Sequence, residues 1–150
     1  MAKRFPQPKP WIPKNPKKYK GDPTKIISRS SWELRTFKWL DDNENVLEWS
    51  SEEIVIPYYS PVDNKMHRYF PDVYAKFKVS NNRIKTYLIE IKPEYQVKEP
   101  EIKKRITKQY INEVCTYAVN TAKWKAARQY CLDRSWEFKI ITEMDLFRNE

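Results

Sequence analysis

Glycine is almost missing from this 150-residue chain, which has one, at position 21. Its turns must therefore be made by Asn, Asp and Pro, residues that tolerate or pre-set turn dihedrals. Histidine is as scarce, with His67 alone, and cysteine is limited to Cys115 and Cys131. The two cysteines fall in stretches that read as helices and lack metal-ligand spacing. A structural zinc site is therefore not expected, and free buried thiols in a reducing cytoplasm are. No apolar run approaches the length of a membrane span, and the N-terminus lacks the apolar core of a signal peptide, so no membrane partner is expected. Acid is absent from residues 1–21, where Lys3, Arg4, Lys9, Lys14, Lys17, Lys18 and Lys20 supply +7 of a formal net charge of +9. The remainder is near balance, with 22 basic residues against 20 acidic.

Aromatic side chains are plentiful: six Trp, ten Tyr and six Phe are enough to build a core despite the high charged fraction. A chain of this length fits one domain burying about two-thirds of its unfolded surface. Six of the eleven prolines lie in residues 1–23, forbidding helix there and favouring an extended or polyproline-like path. The expected organisation is a basic Pro-rich arm over 1–23 and a globular domain over 24–150. The arm has two readings. It follows a phosphate backbone or docks on a protein partner, with Phe5, Trp11 and Tyr19 as anchors, or it is a solvated tail.

The most informative stretch runs from Pro71 to Lys92, PDVYAKFKVSNNRIKTYLIEIK. Side chains alternate faces along a strand, so Val73, Ala75, Phe77 and Val79 share one face of an outgoing strand, and Tyr87, Ile89 and Ile91 one face of its return. A two-residue turn at Asn81-Asn82 mixes the faces. A three-residue loop, 81–83, pairs Val73 with Ile91 and Ala75 with Ile89, and sets Asp72 against Lys92 and Tyr74 against Glu90. In that register Asp72, Glu90 and Lys92 meet on one side. Two neighbouring carboxylates repel unless one is protonated or a cation lies between them. Hard oxygen donors of this kind suit Mg²⁺ or Mn²⁺, and the lysine can balance charge developing beside the ion. The plain alternative is a surface ion pair between Asp72 and Lys92.

Around this hairpin, Ser30 followed by Glu33 is a capping box that opens a helix closed by Asp41-Asp42-Asn43. Glu33 either caps that helix or serves as a third acid near the ion. Residues 54–59 read as a first strand, 60–65 as a turn, and 67–70 as the return, giving three consecutive strands in an antiparallel meander. His67 and Arg68 are candidates for phosphate contact, against a plain strand histidine. Pro100 is expected to introduce a helix with Ile102, Ile106, Tyr110, Val114 and Ala118 on one side and Lys103, Lys104, Arg105 and Lys108 on the other. The basic side is either solvated or a DNA-backbone contact. Asn120 reads as the cap of a second helix over 121–132, residues 136–142 as a final strand, and 144–147 as a turn of helix. Helices on a small mixed sheet make the fold α/β, or α+β mixed.

Glu33 on the first helix, Pro71-Asp72, and Glu90-Ile91-Lys92 together resemble the PD-(D/E)XK nuclease superfamily. The basic Pro-rich start, Tyr-Phe-Pro-Asp, Leu-Ile-Glu-Ile-Lys-Pro, and the Lys-Trp-Lys-Ala-Ala-Arg-Gln-Tyr-Cys helix before a strand ending Ile-Thr-Glu are similar to the T4-like phage head completion nucleases. The later half also resembles TnsA-type transposon endonucleases. The resemblance spans about residues 20–145 and is most specific over 69–93. It implies a restriction-endonuclease-like core and a magnesium-dependent deoxyribonuclease that hydrolyses DNA phosphodiesters as an endonuclease, and by extension an exonuclease. It further implies Asp72 and Glu90 as metal ligands, Lys92 as the residue that positions or activates water, and Glu33 as an accessory acid. The phage branch implies a late role in virion assembly, processing packaged DNA so that tails join. Its partners would be head, portal or neck proteins, in the host cytoplasm during assembly or in the virion. The rival class is a non-catalytic connector that binds DNA or portal through its basic arm.

Overall fold

The computed structural model describes residues 7–147. In chain order these form β1 (Lys9–Pro10), β2 (Ile27–Ser28), α1 (Ser31–Asp42), β3 (Val46–Ser51), β4 (Ile56–Ser60), β5 (Lys65–Tyr69), β6 (Val73–Val79), β7 (Arg83–Ile91), α2 (Glu94–Val97), α3 (Lys108–Asp133), β8 (Glu137–Ile141) and α4 (Glu143–Leu146). The central sheet has the order β3-β6-β7-β8, antiparallel except for the parallel β7–β8 pair. This is the mixed α/β architecture expected.

The pleat divides the core in two. Val73, Ala75 and Ile89 face Phe37 and Leu40 of α1 together with Trp49, while Tyr74 and Leu88 face Trp124, Ala127 and Cys131 of α3. A parallel return from β7 to β8 needs a long crossover. The 26-residue α3 provides it, burying Asn120, Trp124, Ala127 and Cys131 along one stripe.

Several expectations are corrected. The loop of the β6–β7 hairpin is Ser80–Asn82, closing on Val79↔Arg83, so Val73 pairs with Ile89 and Ala75 with Tyr87. Asn81 and Asn82 both take left-handed dihedrals, with φ of 62° and 59°, whereas Arg83 is already extended. Asparagine bears that conformation at little cost, so the two asparagines make the reversal. The two-residue shift keeps every side chain on its expected face. One step beyond the last pair, it puts Asp72 level with Glu90 rather than with Lys92.

The partner of β6 is β3, not the strand over 54–59. A bulge between Val46 and Glu48 breaks the period of two in β3, which conceals this strand from pattern reading. β4 and β5 instead form a separate hairpin whose Ile56, Tyr58 and Tyr69 pack on α3. The helix expected from Pro100 begins at Lys108, where the Thr107 hydroxyl accepts the Tyr110 amide. Ile102 and Ile106 are exposed. A repeat of four drifts about 40° per step around a 3.6-residue helix, so those five apolar positions never shared one face. Asn120 is interior to α3 rather than its cap.

The N-terminal segment, from Lys9 onward, lies against the domain. β1 pairs with β2, Trp11 packs on Phe37 and Trp49, and Tyr19 is buried edge-on to Trp49 at 4.8 Å. Asp41 accepts the amides of Lys14 and Asn15, and Lys18 Nζ donates to the carbonyls of Leu40, Asp41 and Asn43. A lysine at a helix C-terminus satisfies carbonyls left without partners and complements the dipole. Trp11 and Tyr19 are thus anchors in the chain's own core rather than for a partner. Phe5 lies outside the described residues. Gly21 adopts φ 143°, and a Cβ there would stand 3.0 Å from a Glu53 carboxylate oxygen. The one glycine therefore occupies a position that other residues would strain.

Candidate active site

Asp72 follows Pro71 at the entry to β6, and its main-chain oxygen receives the Glu52 amide at 3.3 Å. Its carboxylate receives the Ile91 amide at 2.7 Å, which ties it to the end of β7. Glu90 precedes Ile91 on that strand and is 6% exposed. Alternation turns Glu90 to the α3 side, where the Tyr69 hydroxyl donates to Oε2. Lys92 lies on the same side two residues on, with Nζ 3.6 Å from Glu90 Oε1. Both oxygens of Glu90 are thereby held, one by a phenol and one by an ammonium.

Burial pushes the Asp72 carboxyl up to about 8, and the adjacent Glu90 adds to the rise, while the Ile91 amide pulls the other way. Glu90 is also raised, by burial first, against the lowering influence of Tyr69, Lys92 and Lys123. The Tyr69 phenol is raised, by burial and then by Glu90, so it stays a donor. Two acids held out of water beside each other carry more negative charge than one ion-paired lysine offsets.

Glu33, Asp72 and Lys92 line one cleft of about 380 Å³ between the start of α1 and the end of β7. The Ser30 hydroxyl accepts the Glu33 amide as expected of a cap, but the Glu33 carboxylate receives the Arg29 amide at 3.4 Å rather than that of Ser30. Burial raises Glu33, with the Arg29 amide opposing. Among the described residues no three of His, Cys, Asp and Glu form a group that could enclose a metal ion, and Glu33 stands on the wall of the cleft that Asp72 also lines. The pair Asp72 and Glu90 nevertheless fits magnesium or manganese, which commonly take one or two carboxylates and fill the remaining positions with water and phosphate oxygens.

The other expected site residues lie apart. His67 is half-exposed on β5, 2.6 Å from Asp63 and stacked on Tyr58. Arg68 lies over Phe70. Lys103 and Lys104 are exposed in the segment before α3. Lys108, with Tyr95 and Lys98, lines a groove that adjoins the cleft at Gln96.

Tyr69 and Lys123 carried no expected role. Lys123 Nζ lies 5.7 Å over the Tyr69 ring, on α3. Its signal was a lysine flanking a buried helical stripe, three residues after Asn120 and four before Ala127. Tyr69 shows in the sequence only as part of Tyr-Phe-Pro-Asp. Replacing Tyr69 by Phe leaves Glu90 without its buried donor. The expected result is a fold less stable by about 1–3 kcal/mol in chemical denaturation, the cost of a buried acceptor left without its partner. An unchanged denaturation midpoint would show that the Tyr69 hydroxyl does not hold Glu90.

The profile of the family described as TnsA-like endonuclease N terminal matches residues 43–143. The chain is also 42% identical over 137 residues to the head completion nuclease of Enterobacteria phage T4, covering 89% of each chain.

Proposed function

From the premise that the chain belongs to the TnsA-like endonuclease N-terminal family, we propose that it is a divalent-metal-dependent deoxyribonuclease acting in phage head completion. The observation that carries the reading is the pair of buried Glu90 and half-buried Asp72 beside Lys92. Such a pair is costly in a small domain unless a cation and a phosphate complete it.

Asp72 and Glu90 would hold Mg²⁺ or Mn²⁺, with Glu33 as an accessory acid on the cleft wall. The bound ion would polarise a phosphoryl oxygen and acidify water for attack. The Ile91 amide fixes the rotamer of Asp72, and Tyr69 fixes that of Glu90. Lys92, held at Glu90, places positive charge where a pentavalent phosphate gains negative charge. Lys108, in the adjoining groove, and Lys103 and Lys104, in the segment before α3, are assigned to the DNA backbone, with His67 and Arg68 as further candidates.

The relative's name supports a place in head completion; our reading adds packaged DNA as substrate and head, portal or neck proteins as partners, in the host cytoplasm during assembly or in the virion. The test is cleavage of linear, circular and branched DNA with and without Mg²⁺. Cutting should require the ion, and Lys92→Gln should slow it by about a hundredfold or more while DNA affinity is kept. Tight binding with no cutting of any substrate would defeat the enzyme reading in favour of a connector.

A further inference from the structure

A groove of about 670 Å³ lies apart from the candidate active site. It opens at the opposite end of α1, between that helix's last turn and the open face of β6, β7 and β8. Trp39, Phe77 and Tyr87 form a row along it, with ring centres 5.9 Å apart for the first pair and 5.5 Å for the second. Lys78 and Lys139 also line it, and Lys139 Nζ lies 5.0 Å over the Tyr87 ring. None of the described side chains lining the groove is acidic. Trp39 is 54% exposed although the buried face of α1 passes close by it at Phe37 and Leu40. Packing on Phe77 accounts for only part of that indole.

We propose that this groove binds the unpaired bases of single-stranded DNA, stacking them on Trp39 and its aromatic neighbours while Lys78 and Lys139 meet the phosphates. The inference rests on the nuclease reading for its choice of nucleic acid. Aromatic faces beside lysines, with carboxylates absent, are the complement of a polyanion carrying flat rings. A duplex hides its base faces, so a recessed aromatic row selects an unpaired segment. Asn43 and Asn45, at the mouth, can offer donors and acceptors to base edges.

The position suits a substrate that reaches the active site as well. Trp39 at the groove and Glu33 at the cleft holding Asp72 and Lys92 are six positions apart on α1. That is a rise of about 9 Å, or about three nucleotides at the spacing of a stacked strand. The structure therefore points to DNA with an unpaired end or flap of at least that length as the preferred substrate.

Binding of a labelled oligothymidylate and of a blunt duplex of equal length, measured by fluorescence anisotropy in chelator, tests this on the full chain. Trp39→Ala and Lys139→Glu change exposed side chains and should preserve the fold by circular dichroism. Each should weaken single-strand binding about tenfold, change duplex binding less than about twofold, and leave magnesium-dependent duplex cutting intact for Trp39→Ala. Single-strand affinity within about twofold of the parent in both variants overturns the proposal. So does an equal loss on both DNAs, which would mark a general backbone contact. A changed sedimentation coefficient with unchanged single-strand binding also overturns it, assigning the groove to a second copy of the chain. Failure of the nuclease reading is separate: a parent protein that binds oligothymidylate through Trp39 but cuts nothing leaves the groove standing.

Discussion

Asp72→Asn protein is expected to lose at least about a thousandfold in DNA cleavage and, in chelator, to outlast its parent against heat at pH 8. The amide keeps the shape of the side chain and can still accept the Ile91 amide, so the fold survives. Lost is the negative charge that, next to Glu90, requires a cation. The stability sign follows from the raised carboxyl. Asp72 titrates at about 8 in the fold against 3.8 when unfolded. Between those values the native state holds a proton that the unfolded chain has released. Stability is therefore full below the unfolded value and falls as pH rises through the folded one. Metal-free parent protein should melt at progressively lower temperature from pH 5 to pH 9. Magnesium should restore the midpoint at the alkaline end, because binding to the native state alone stabilises it. The variant should show a flatter curve, residual slope coming from Glu90, and little response to magnesium. A parent whose midpoint rises over the same interval would show that the two acids are not buried together.

A chain beginning at residue 24 is expected to be close to unfolding at ambient temperature. Burial of Trp11 and Tyr19 against Trp49 contributes about 4 kcal/mol at the usual value per aromatic side chain. Removing Lys18 also strips the donor from three carbonyls at the end of α1, costing about 1–3 kcal/mol more. Against a total of about 5–15 kcal/mol for a domain of this size, that loss is decisive. Chemical denaturation of the truncated and full chains measures it. Equal midpoints would show the segment to be an appendage after all. The expected result implies that the basic N-terminal residues serve the fold even if they also meet DNA. Activity lost on truncation then reports unfolding before it reports lost DNA contacts.

Local pattern was sufficient for the elements that carry the site. α1 announces itself by Ser30 at its cap and Asn43 at its end, and β6 and β7 by alternation. Glu90 and Lys92 share a side because the pleat has a period of two, whatever the fold around them. Asp72 joins them for a reason pattern reading anticipated only in part: the faces were right, but the left-handed Asn81 and Asn82 decide the register.

The tertiary structure decided what depends on contacts distant in sequence. Alternation says that a strand has an inside, not which strand lies beside it, so β3 with its bulge displaced the expected neighbour of β6. Proline and lysine described residues 9–20 as an arm, yet Trp11 and Tyr19 found a cavity beside Trp49 that no local signal reports. Tyr69 reaches Glu90 across 21 positions and Lys123 across a helix, through packing that exists only once the β4–β5 hairpin has docked on α3. The row of Trp39, Phe77 and Tyr87 likewise draws on three elements, and none of the three residues is conspicuous alone. Periodicity and propensity are properties of neighbours in the chain, whereas burial of charge and stacking of rings depend on which surfaces meet.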